Sequence, residues 1–211
     1  MSYLVKEILL TLQGEGFHTG TPAVFCRFSG CNLWSGREVH RSSARCQFCD
    51  TDFVGTDGPG GGRFATADDL ARAVEAAWRQ RSTRERLVVC TGGEPLLQLD
   101  ALLLDALHGR GFRVAIETNG TIAAPDGIDW TCVSPKAGTE LVLRRGDELK
   151  LVFPQPGIEP EEVEAFEFDH FFLQPMDGPA REENTARAVQ YCLLHPRWRL
   201  SLQTHKFIGI P

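Results

Sequence analysis

Three cysteines in this chain are spaced so that they could share one metal centre. Cys31, Cys46 and Cys49 form a C-x14-C-x2-C pattern that closes on Asp50 and Thr51. Two cysteines separated by two residues can turn both thiolates toward one metal, and the third brings a ligand from the far end of a loop. Three ligands are one fewer than a closed tetrahedral site needs. The pattern therefore predicts an open coordination position where chemistry can occur.

Three interpretations of these cysteines are open. A structural zinc site would take His40, inside the loop, as its fourth ligand. A [4Fe-4S] cluster held by three cysteines would leave its fourth iron for a substrate or cofactor. A disulfide is the weakest interpretation, because the seven cysteines are an odd number and the start, MSYLVKEILL, has no basic segment followed by a long apolar run. We therefore expect a cytoplasmic protein with reduced thiols.

The composition predicts one domain over residues 1–211. Of these residues 42% are hydrophobic, so the chain can bury roughly 70% of the surface that its unfolded form exposes. The net charge is −6, from 22 basic and 28 acidic residues, which argues against broad nucleic-acid binding. No segment approaches the roughly 20 apolar residues of a membrane span. We expect neither nucleic acid nor membrane as a partner.

The elements that must position the cysteines alternate between strand and helix patterns. After an apolar segment at 3–12, strands are predicted at 23–28, 87–90, 113–117, 131–134, 148–152, 171–174 and 199–203. Helices are predicted at 66–78, where Thr66 begins a capping box, at 97–108 and at 183–195. The glycine-rich connector 55–62 is expected to be a mobile surface loop. The pattern is that of an α/β protein, a partial βα barrel of about six parallel strands, fewer than the eight of a full barrel.

Polar residues follow four of the predicted strands. Because the carboxyl ends of parallel strands meet at one edge of the sheet, we expect these residues to form a single site with the cysteine loop. Such a site would hold a polar cofactor against the metal centre. The groups are Gly92, Gly93 and Glu94; Glu117, Thr118 and Asn119; Ser134, Pro135 and Lys136; and Gln174, Pro175, Met176 and Asp177.

These residues together resemble a known superfamily. Three clustered cysteines after a first strand, followed by TGGEP at 91–95, are similar to the radical S-adenosylmethionine (SAM) enzymes. The LQGEG at 12–16, CDT at 49–51, SPK at 134–136 and the ending QTHK at 203–206 through Pro211 resemble, more narrowly, the 7-carboxy-7-deazaguanine synthase family. The resemblance covers essentially the whole chain.

One departure from the superfamily pattern concerns the cluster loop at 31–51. The common pattern has three residues between the first two cysteines, and this chain has fourteen. Lengthening a loop costs only about 0.6 kcal/mol per doubling, so we expect the insertion 32–45 to return Cys46 to the cluster. We expect His40 to be a solvated loop residue.

The resemblance implies a radical SAM core with this modified cluster loop, and a [4Fe-4S] cluster on Cys31, Cys46 and Cys49 whose fourth iron binds SAM. One-electron cleavage would give a 5′-deoxyadenosyl radical that takes hydrogen from C6 of 6-carboxy-5,6,7,8-tetrahydropterin. Ring contraction with loss of ammonia would then give 7-carboxy-7-deazaguanine, in queuosine and deazapurine biosynthesis. No side-chain catalyst is required beyond the cofactor. The resemblance assigns SAM to Gly92, Gly93, Glu94, Glu117, Ser134, Pro135, Lys136, Gln174, Pro175, Met176 and Asp177, with Glu94 receiving the amino group and Glu117 the ribose.

The resemblance also implies a substrate site. Glu15 suits the guanidine-like pterin edge and Arg27 the pterin carboxylate, with turn chemistry and a surface salt bridge as the respective alternatives. The apolar end of the tail 199–211 is expected to fold back, so that Pro211 reaches the pterin. Mg²⁺ is implied at Thr51, with Asp50 nearby, although a simple Ser/Thr turn would also use these residues. The substrate residues are Leu12, Gln13, Gly14, Glu15, Arg27, Thr91, His205 and Pro211.

The remaining expectations concern partners and alternatives. The family implies a homodimer and a one-electron donor such as flavodoxin or ferredoxin. The other cysteines, and Trp78 and Trp198, are expected in the core or, for the tryptophans, at a dimer contact. A glycyl-radical activating enzyme that acts on a protein partner, and a non-catalytic zinc-binding module, stay open as alternatives. The other cysteines are Cys26, Cys90, Cys132 and Cys192.

Overall fold

The structure, a computed structural model, describes residues 2–78 and 85–211. Its described strands are β1 Tyr3–Leu12, β2 Pro22–Phe28, β3 Gly62–Phe64, β4 Arg86–Gly92, β5 Phe112–Thr118, β6 Trp130–Val133, β7 Arg145–Phe153, β8 Glu167–Pro175 and β9 Trp198–Leu200. Its described α-helices are α1 Ala67–Ala77, α2 Ala101–His108, α3 Pro160–Val163, α4 Arg181–Leu194 and α5 Thr204–Ile208.

All of these strands belong to one sheet that is not closed into a barrel. Their order is β3-β1-β2-β4-β5-β6-β7-β8-β9, with β3 and β9 at the two edges. Strand β1 is antiparallel to both β2 and β3. From β2 through β9 the neighbouring strands in this order pair in parallel. The predicted partial barrel is thus confirmed, with seven parallel strands in the described chain where about six were expected.

The three helices predicted from the sequence are present as α1, α2 and α4, and α3 and α5 are additional. Helix α1 begins as expected, with Thr66 Oγ1 accepting a hydrogen bond from Asp69 N at 3.1 Å. Helix α2 begins at Ala101 and not at residue 97, because Asp100 caps it by accepting from Leu103 N at 3.0 Å. The segments 119–129 and 134–144 cross to the next strand without a helix. The sheet is therefore less completely covered than a regular βα repeat would make it.

The glycine-rich segment 55–62 is not the free surface loop that its composition predicts. Gly58 N donates to Lys6 O at 3.0 Å, and Ile8 N donates to Pro59 O at 2.8 Å, so the segment runs hydrogen-bonded along β1. A Cβ at Gly61 would lie 2.1 Å from Lys6 O. The glycines permit this close approach of two backbones, which is why a flexible composition gives a fixed segment.

The tail also differs from its prediction. A strand was expected at 199–203, but β9 ends at Leu200 and the chain continues into α5, which stops at Gly209 with φ 68°. Thr204 N donates to Gly14 O at 2.9 Å. Ser201 N still donates to Leu173 O of β8 at 2.9 Å, and the chain leaves the sheet edge after this residue, where Thr204 pairs with the turn after β1.

Two main apolar clusters support the sheet. One lies under α1 and α2 and includes Trp78, and the other packs β6 to β9 against α3 and α4 and includes Trp198. Cys26, Cys90 and Cys132 are buried in the strands, as expected for small apolar residues, and Cys192 is partly buried. None of the helices within residues 2–78 and 85–211 is long and apolar enough to cross a membrane.

Candidate active site

A cleft of about 350 Å³ lies at the carboxyl ends of the parallel strands. Its walls combine the cysteine loop, the turns that follow β4, β5, β6 and β8, the turn after β1 and the tail. All of the predicted site residues line this cleft except Glu94 and Pro135. Residues from nearly the whole length of the chain therefore meet in one cavity, as the position of parallel strand ends requires.

The three cysteines form one end of the cleft. The Cys46 thiol donates a hydrogen bond to the Cys49 sulfur, which lowers the pKa of Cys49 to about 6 and raises the pKa of Cys46. Burial raises the pKa of Cys31. Burial also lowers the pKa of Lys136, while the neighbouring Cys46 and Cys49 act to raise it. The Lys136 cation beside Cys46 and Cys49 favours their thiolate forms, and thiolates are the form in which cysteines bind metals.

The arrangement of these sulfurs bears on the zinc interpretation. Within the described residues, no three His, Cys, Asp or Glu side chains come together closely enough to hold a single metal ion. His40 is exposed and its Nδ1 pairs with Ser35 Oγ at 2.8 Å. A [4Fe-4S] cluster instead binds each thiolate to a different iron, which requires sulfurs spread around a larger centre. Three cysteine thiols, with His40 paired elsewhere, match the three-thiolate ligand set of such a cluster.

The glycine turn after β4 packs against the start of the cysteine loop. Gly93 N donates to Phe28 O at 3.1 Å, and Glu94 N donates to Gly30 O at 2.9 Å. A Cβ at Gly92 would lie 2.3 Å from Phe28 O, and one at Gly93 would lie 2.0 Å from Gly30 O. Only glycine fits at these positions, and their backbone is left as a polar wall of the cleft.

Glu94, for which a contact with the SAM amino group is predicted, is buried behind the residues that line the cleft. Its carboxylate is fully buried and accepts hydrogen bonds from Leu96 N, Thr118 Oγ1 and Asn119 N at 3.0, 2.8 and 2.8 Å. Burial raises the pKa of Glu94, and the backbone donors counteract this effect. The side chain thus joins the turns after β4 and β5. Pro135 is outside the cleft too, where its carbonyl accepts from Gln155 Nε2 at 3.2 Å.

A buried ion cluster forms the other end of the cleft. Lys150 Nζ lies 2.7 Å from Glu15 Oε2 and 2.6 Å from Glu117 Oε2, and its side chain is only 3% exposed. Gln13 Nε2 donates to Glu117 at 3.0 Å, and Gln203 Nε2 donates to Glu15 at 2.9 Å. We call Glu15, Glu117 and Lys150 the ion triad. It joins the turn after β1, β5 and β7.

Glu15 and Lys150 of the ion triad hold each other in their charged forms. Burial by itself would raise the pKa of Glu15, but the Lys150 charge and hydrogen bond outweigh it and lower the pKa to about 2. Burial likewise would lower the pKa of Lys150, whereas Glu117 and Glu15 raise it well above its usual range. Both groups are therefore charged at neutral pH.

Lys150 was not among the predicted site residues, although the sequence carries a signal for it. The run Glu148-Leu149-Lys150-Leu151 alternates charged and apolar residues within a predicted strand. Since successive side chains of a strand point to opposite faces, one face of β7 holds the core and the other holds charges. Lys150 lines the cleft while Leu149 and Leu151 are fully buried in the core.

Acid should weaken the fold through Glu15. A carboxylate whose folded pKa is about 2 contributes stability that is present above its unfolded pKa of about 4.3 and is lost as the pH falls toward 2. We expect the Glu15→Gln variant to lose less stability than the parent between pH 5 and pH 3, measured by urea unfolding of the cluster-free protein. Glu182→Gln, at an exposed position of α4, is the matched control. Equal losses in parent and Glu15→Gln would contradict this assignment.

The tail packs over the turn after β1. Thr204 Oγ1 donates to Gly14 O at 2.9 Å, and a Cβ at Gly14 would lie 2.2 Å from His205 Nδ1. Pro211 O accepts a hydrogen bond from Thr11 Oγ1 at 3.0 Å. The predicted folding back of the tail is thus what the structure has, and it brings His205 and Pro211 to the cleft wall.

Lys206 joins the tail to two other walls of the cleft. Its Nζ lies 2.6 Å from both Asp50 Oδ2 and Asp177 Oδ2 and donates to Gln203 Oε1 at 2.9 Å. The pairing of Lys206 with both aspartates could not be predicted from the sequence, because a lysine in a polar tail segment is ordinarily solvated. One ammonium group thus ties α5 to the end of the cysteine loop and to the turn after β8.

Arg27 forms an ion pair at the wall of the cleft, as one of its two sequence interpretations predicts. Its Nε lies 2.7 Å from Glu7 Oε1, and each side chain is about one-fifth exposed. Both residues also line the cleft. The ion pair therefore holds a guanidinium at the cavity wall, where it can meet an anionic ligand.

Comparison with known proteins finds a family model that matches the middle of the chain and relatives that match its whole length. Residues 40–145 match the family model of the Radical SAM superfamily. The chain is 67% identical over 210 residues to the 7-carboxy-7-deazaguanine synthase of Bradyrhizobium diazoefficiens, and 65% identical over 211 residues to that of Caulobacter vibrioides, with 100% of each chain covered. The crystal structure of QueE from Escherichia coli aligns with a TM-score of 0.71 and 27% identity, covering 97% of this chain and 95% of that one.

An open parallel sheet with a three-cysteine cleft at its carboxyl edge, matched by that superfamily model, is the core of a radical SAM enzyme. Within this class, the relatives that match the full length of the chain all carry the same enzyme name, which identifies the family. The chain belongs to the 7-carboxy-7-deazaguanine synthase family. The two alternatives, a glycyl-radical activating enzyme and a zinc-binding module, are not supported by these relatives.

Proposed function

We propose that this chain converts 6-carboxy-5,6,7,8-tetrahydropterin to 7-carboxy-7-deazaguanine and ammonia, with a [4Fe-4S] cluster, SAM and Mg²⁺. The observation that carries the proposal is the composition of the cleft. It has a thiol end for a cluster, a wall of strand-end turns for a polar cofactor, and an acidic end closed by the tail. Cofactor and substrate can therefore be held side by side in one cavity.

The thiol end suits the cofactors. When bound, the cluster and SAM together supply a 5′-deoxyadenosyl radical after one-electron reduction. The backbone at Gly92 and Gly93 offers carbonyl acceptors for the SAM ammonium, and Glu94 fixes this turn from behind. Ser134 and Lys136 would hold the carboxylate and ribose, since Lys136 Nζ already donates to Ser134 Oγ at 2.6 Å. The remaining contacts, to the adenine and ribose, fall to Gln174, Pro175, Met176 and Asp177.

The acidic end suits the pterin. Glu15 is kept ionised by Lys150, so it can accept two hydrogen bonds from a guanidine-like edge. Arg27 offers its guanidinium to the substrate carboxylate. Glu117 was expected at the SAM ribose, but because it contacts Lys150 and Gln13 we place it in this substrate end. The remaining substrate contacts are those of Leu12, Gly14, Thr91, His205 and Pro211.

Mg²⁺ has oxygen donors available between the two ends. Thr51 lines the cleft beside Asp50, and a substrate carboxylate would complete the shell together with water. Asp50 is already paired with Lys206. We therefore assign the direct protein contact to the Thr51 hydroxyl.

Removing that hydroxyl should raise the Mg²⁺ requirement. We expect Thr51→Ala to need about tenfold more Mg²⁺ for half-maximal turnover, the effect of losing roughly 1.4 kcal/mol of binding. Thr51→Ser keeps the hydroxyl and should behave as the parent. The measurement is turnover against added Mg²⁺ after treatment with a chelator. An unchanged Mg²⁺ dependence in Thr51→Ala would remove this site.

The partners follow from the same reaction. A one-electron protein donor such as flavodoxin or ferredoxin would reduce the cluster in the cytoplasm, with residues 1–211 acting as a single domain. We also propose a homodimer. The exposed side chains of Leu193 and Leu194 at the end of α4, 75% and 67% accessible, support an apolar contact between copies.

The proposed function is tested by an anaerobic assay. The protein is reconstituted with iron and sulfide, its iron content is measured, and SAM, reductant and 6-carboxytetrahydropterin are added. We expect a brown protein that cleaves SAM and forms a product lighter by ammonia. A brown protein that cleaves SAM but leaves the pterin unchanged would overturn the proposal that this pterin is the substrate. A colourless protein that binds zinc would overturn the cluster.

A further inference from the structure

One side chain of the inserted loop reaches back to the turn that carries two of the cysteines. Arg41 Nη1 donates to Gln47 O at 2.7 Å and to Cys49 O at 3.0 Å. Gln47 lies between Cys46 and Cys49, so both carbonyls belong to the turn 46–49. A single guanidinium nitrogen thus connects two points of the cluster-binding turn, and charge-assisted bonds of this kind are among the stronger ones in proteins.

The guanidinium is held in place on its other sides. Arg41 Nε lies 2.7 Å from Glu38 Oε2 and Nη2 lies 2.6 Å from Oε1, a two-pronged ion pair. Its Cζ lies 4.1 Å from the centre of the Trp34 ring. Trp34 is buried and packs edge-to-face on Phe53 at 5.6 Å. The side chain is therefore oriented by contacts within the loop itself.

The base of the loop is closed independently of Arg41. Arg45 N donates to Leu33 O at 3.1 Å, which brings together the two ends of the insertion 32–45. Leu33 N in turn donates to Cys31 Sγ at 3.4 Å. The insertion is thus a small self-packed unit, and Arg41 is the member that contacts the turn 46–49.

From these contacts we propose that Arg41 is a positioning residue for the cluster: it fixes the turn 46–49 so that the Cys46 and Cys49 sulfurs are presented together with Cys31. Arg41 does not bind iron. The inference rests on the proposed cluster at these three cysteines. Groups that orient metal ligands typically affect metal affinity by about 10- to 100-fold. A fixed positive charge close to the cluster also favours its reduced, more negative form.

The test compares the parent with three variants after anaerobic reconstitution, without SAM or pterin. Arg41→Met removes the donors and keeps an apolar stem on Trp34. Arg41→Lys keeps a charge but cannot span both carbonyls. Glu38→Gln removes an exposed ion pair and leaves the two carbonyl bonds. The readouts are the rate of iron release to a chelator and the reduction potential of the cluster.

We expect Arg41→Met to release iron about 10- to 100-fold faster than the parent and to have a more negative potential. Arg41→Lys should fall between them, and Glu38→Gln should stay within about twofold of the parent. Parental iron release and potential in Arg41→Met would overturn the inference. If Arg41→Met does not fold, parental iron release in Arg41→Lys would overturn it instead. A parent protein that binds no cluster would overturn the cluster assignment itself, a distinct result.

Discussion

Replacing Cys49 with serine is expected to abolish product formation. Three sulfurs line the thiol end of the cleft, and the described part of the chain offers no nearby histidine or carboxylate that gathers with them into a metal site. With one thiolate removed, two ligands are too few to hold the cluster against loss. The low pKa of Cys49, about 6, makes it the cysteine of its pair most readily available as a thiolate at neutral pH.

The measurement is iron per chain, SAM cleavage and product for Cys49→Ser and Cys46→Ser. We expect iron to fall well below that of the parent and product to fall by at least about a thousandfold, since the reaction has no route without the cofactor. Cys192→Ser, at a partly buried position on α4 outside the cleft, is the matched control and should retain full activity. A Cys49→Ser variant with parental iron content would contradict the ligand assignment.

Replacing Lys150 with methionine should have the second largest effect, on stability as well as on activity. The substitution keeps most of the length of the side chain but leaves Glu15 and Glu117 without the cation between them. Breaking a buried ion pair by removing one partner costs about 3–5 kcal/mol, because the remaining charge is left uncompensated. Protonation of one carboxylate would relieve the repulsion, but it would also remove the anion that we propose for pterin binding.

Chemical unfolding and kcat/KM are the measurements for Lys150→Met. Adding Glu117→Gln to it removes one of the two unpaired charges, so the double variant should recover part of the lost stability. Lys206→Met breaks two ion pairs of a lysine that is 28% exposed and should cost less, about 1 kcal/mol. A Lys150→Met variant as stable as the parent would show that the ion triad does not support the fold.

The general location of the site could be predicted from the sequence because the rule behind it is simple. Parallel strands present their carboxyl ends at one edge, so the polar groups after β4, β5, β6 and β8 had to meet. The pairing of particular side chains could not be predicted in this way. Glu94 shows the reason. Thr118 and Asn119, which lie at the end of β5, donate hydrogen bonds to its carboxylate, and this pairing is visible only in the three-dimensional packing.

Two of the differences between the predicted and the observed fold have a common physical origin. Local composition describes what a segment does alone, whereas segment 55–62 and α5 are each fixed by backbone hydrogen bonds to distant partners. The glycines of the first allow contact with β1, and Thr204 in the second meets Gly14. Lys150, by contrast, was within reach of sequence reasoning, because the alternation along β7 separates its charged face from its apolar face.

The contact between the tail and the turn after β1 also has a consequence for the order of folding. Thr204 and Gly14 are 190 positions apart in the sequence, and closing so long a loop carries an entropy cost that only the assembled sheet can offset. The cysteine loop, in contrast, contacts β2 and the turn after β4 through neighbours in the first half of the chain. We therefore expect the thiol end to form before the tail docks. If the tail docks last, the cysteines stay open to solvent until then, so we expect that iron and sulfide can reach them before the tail packs over the turn after β1.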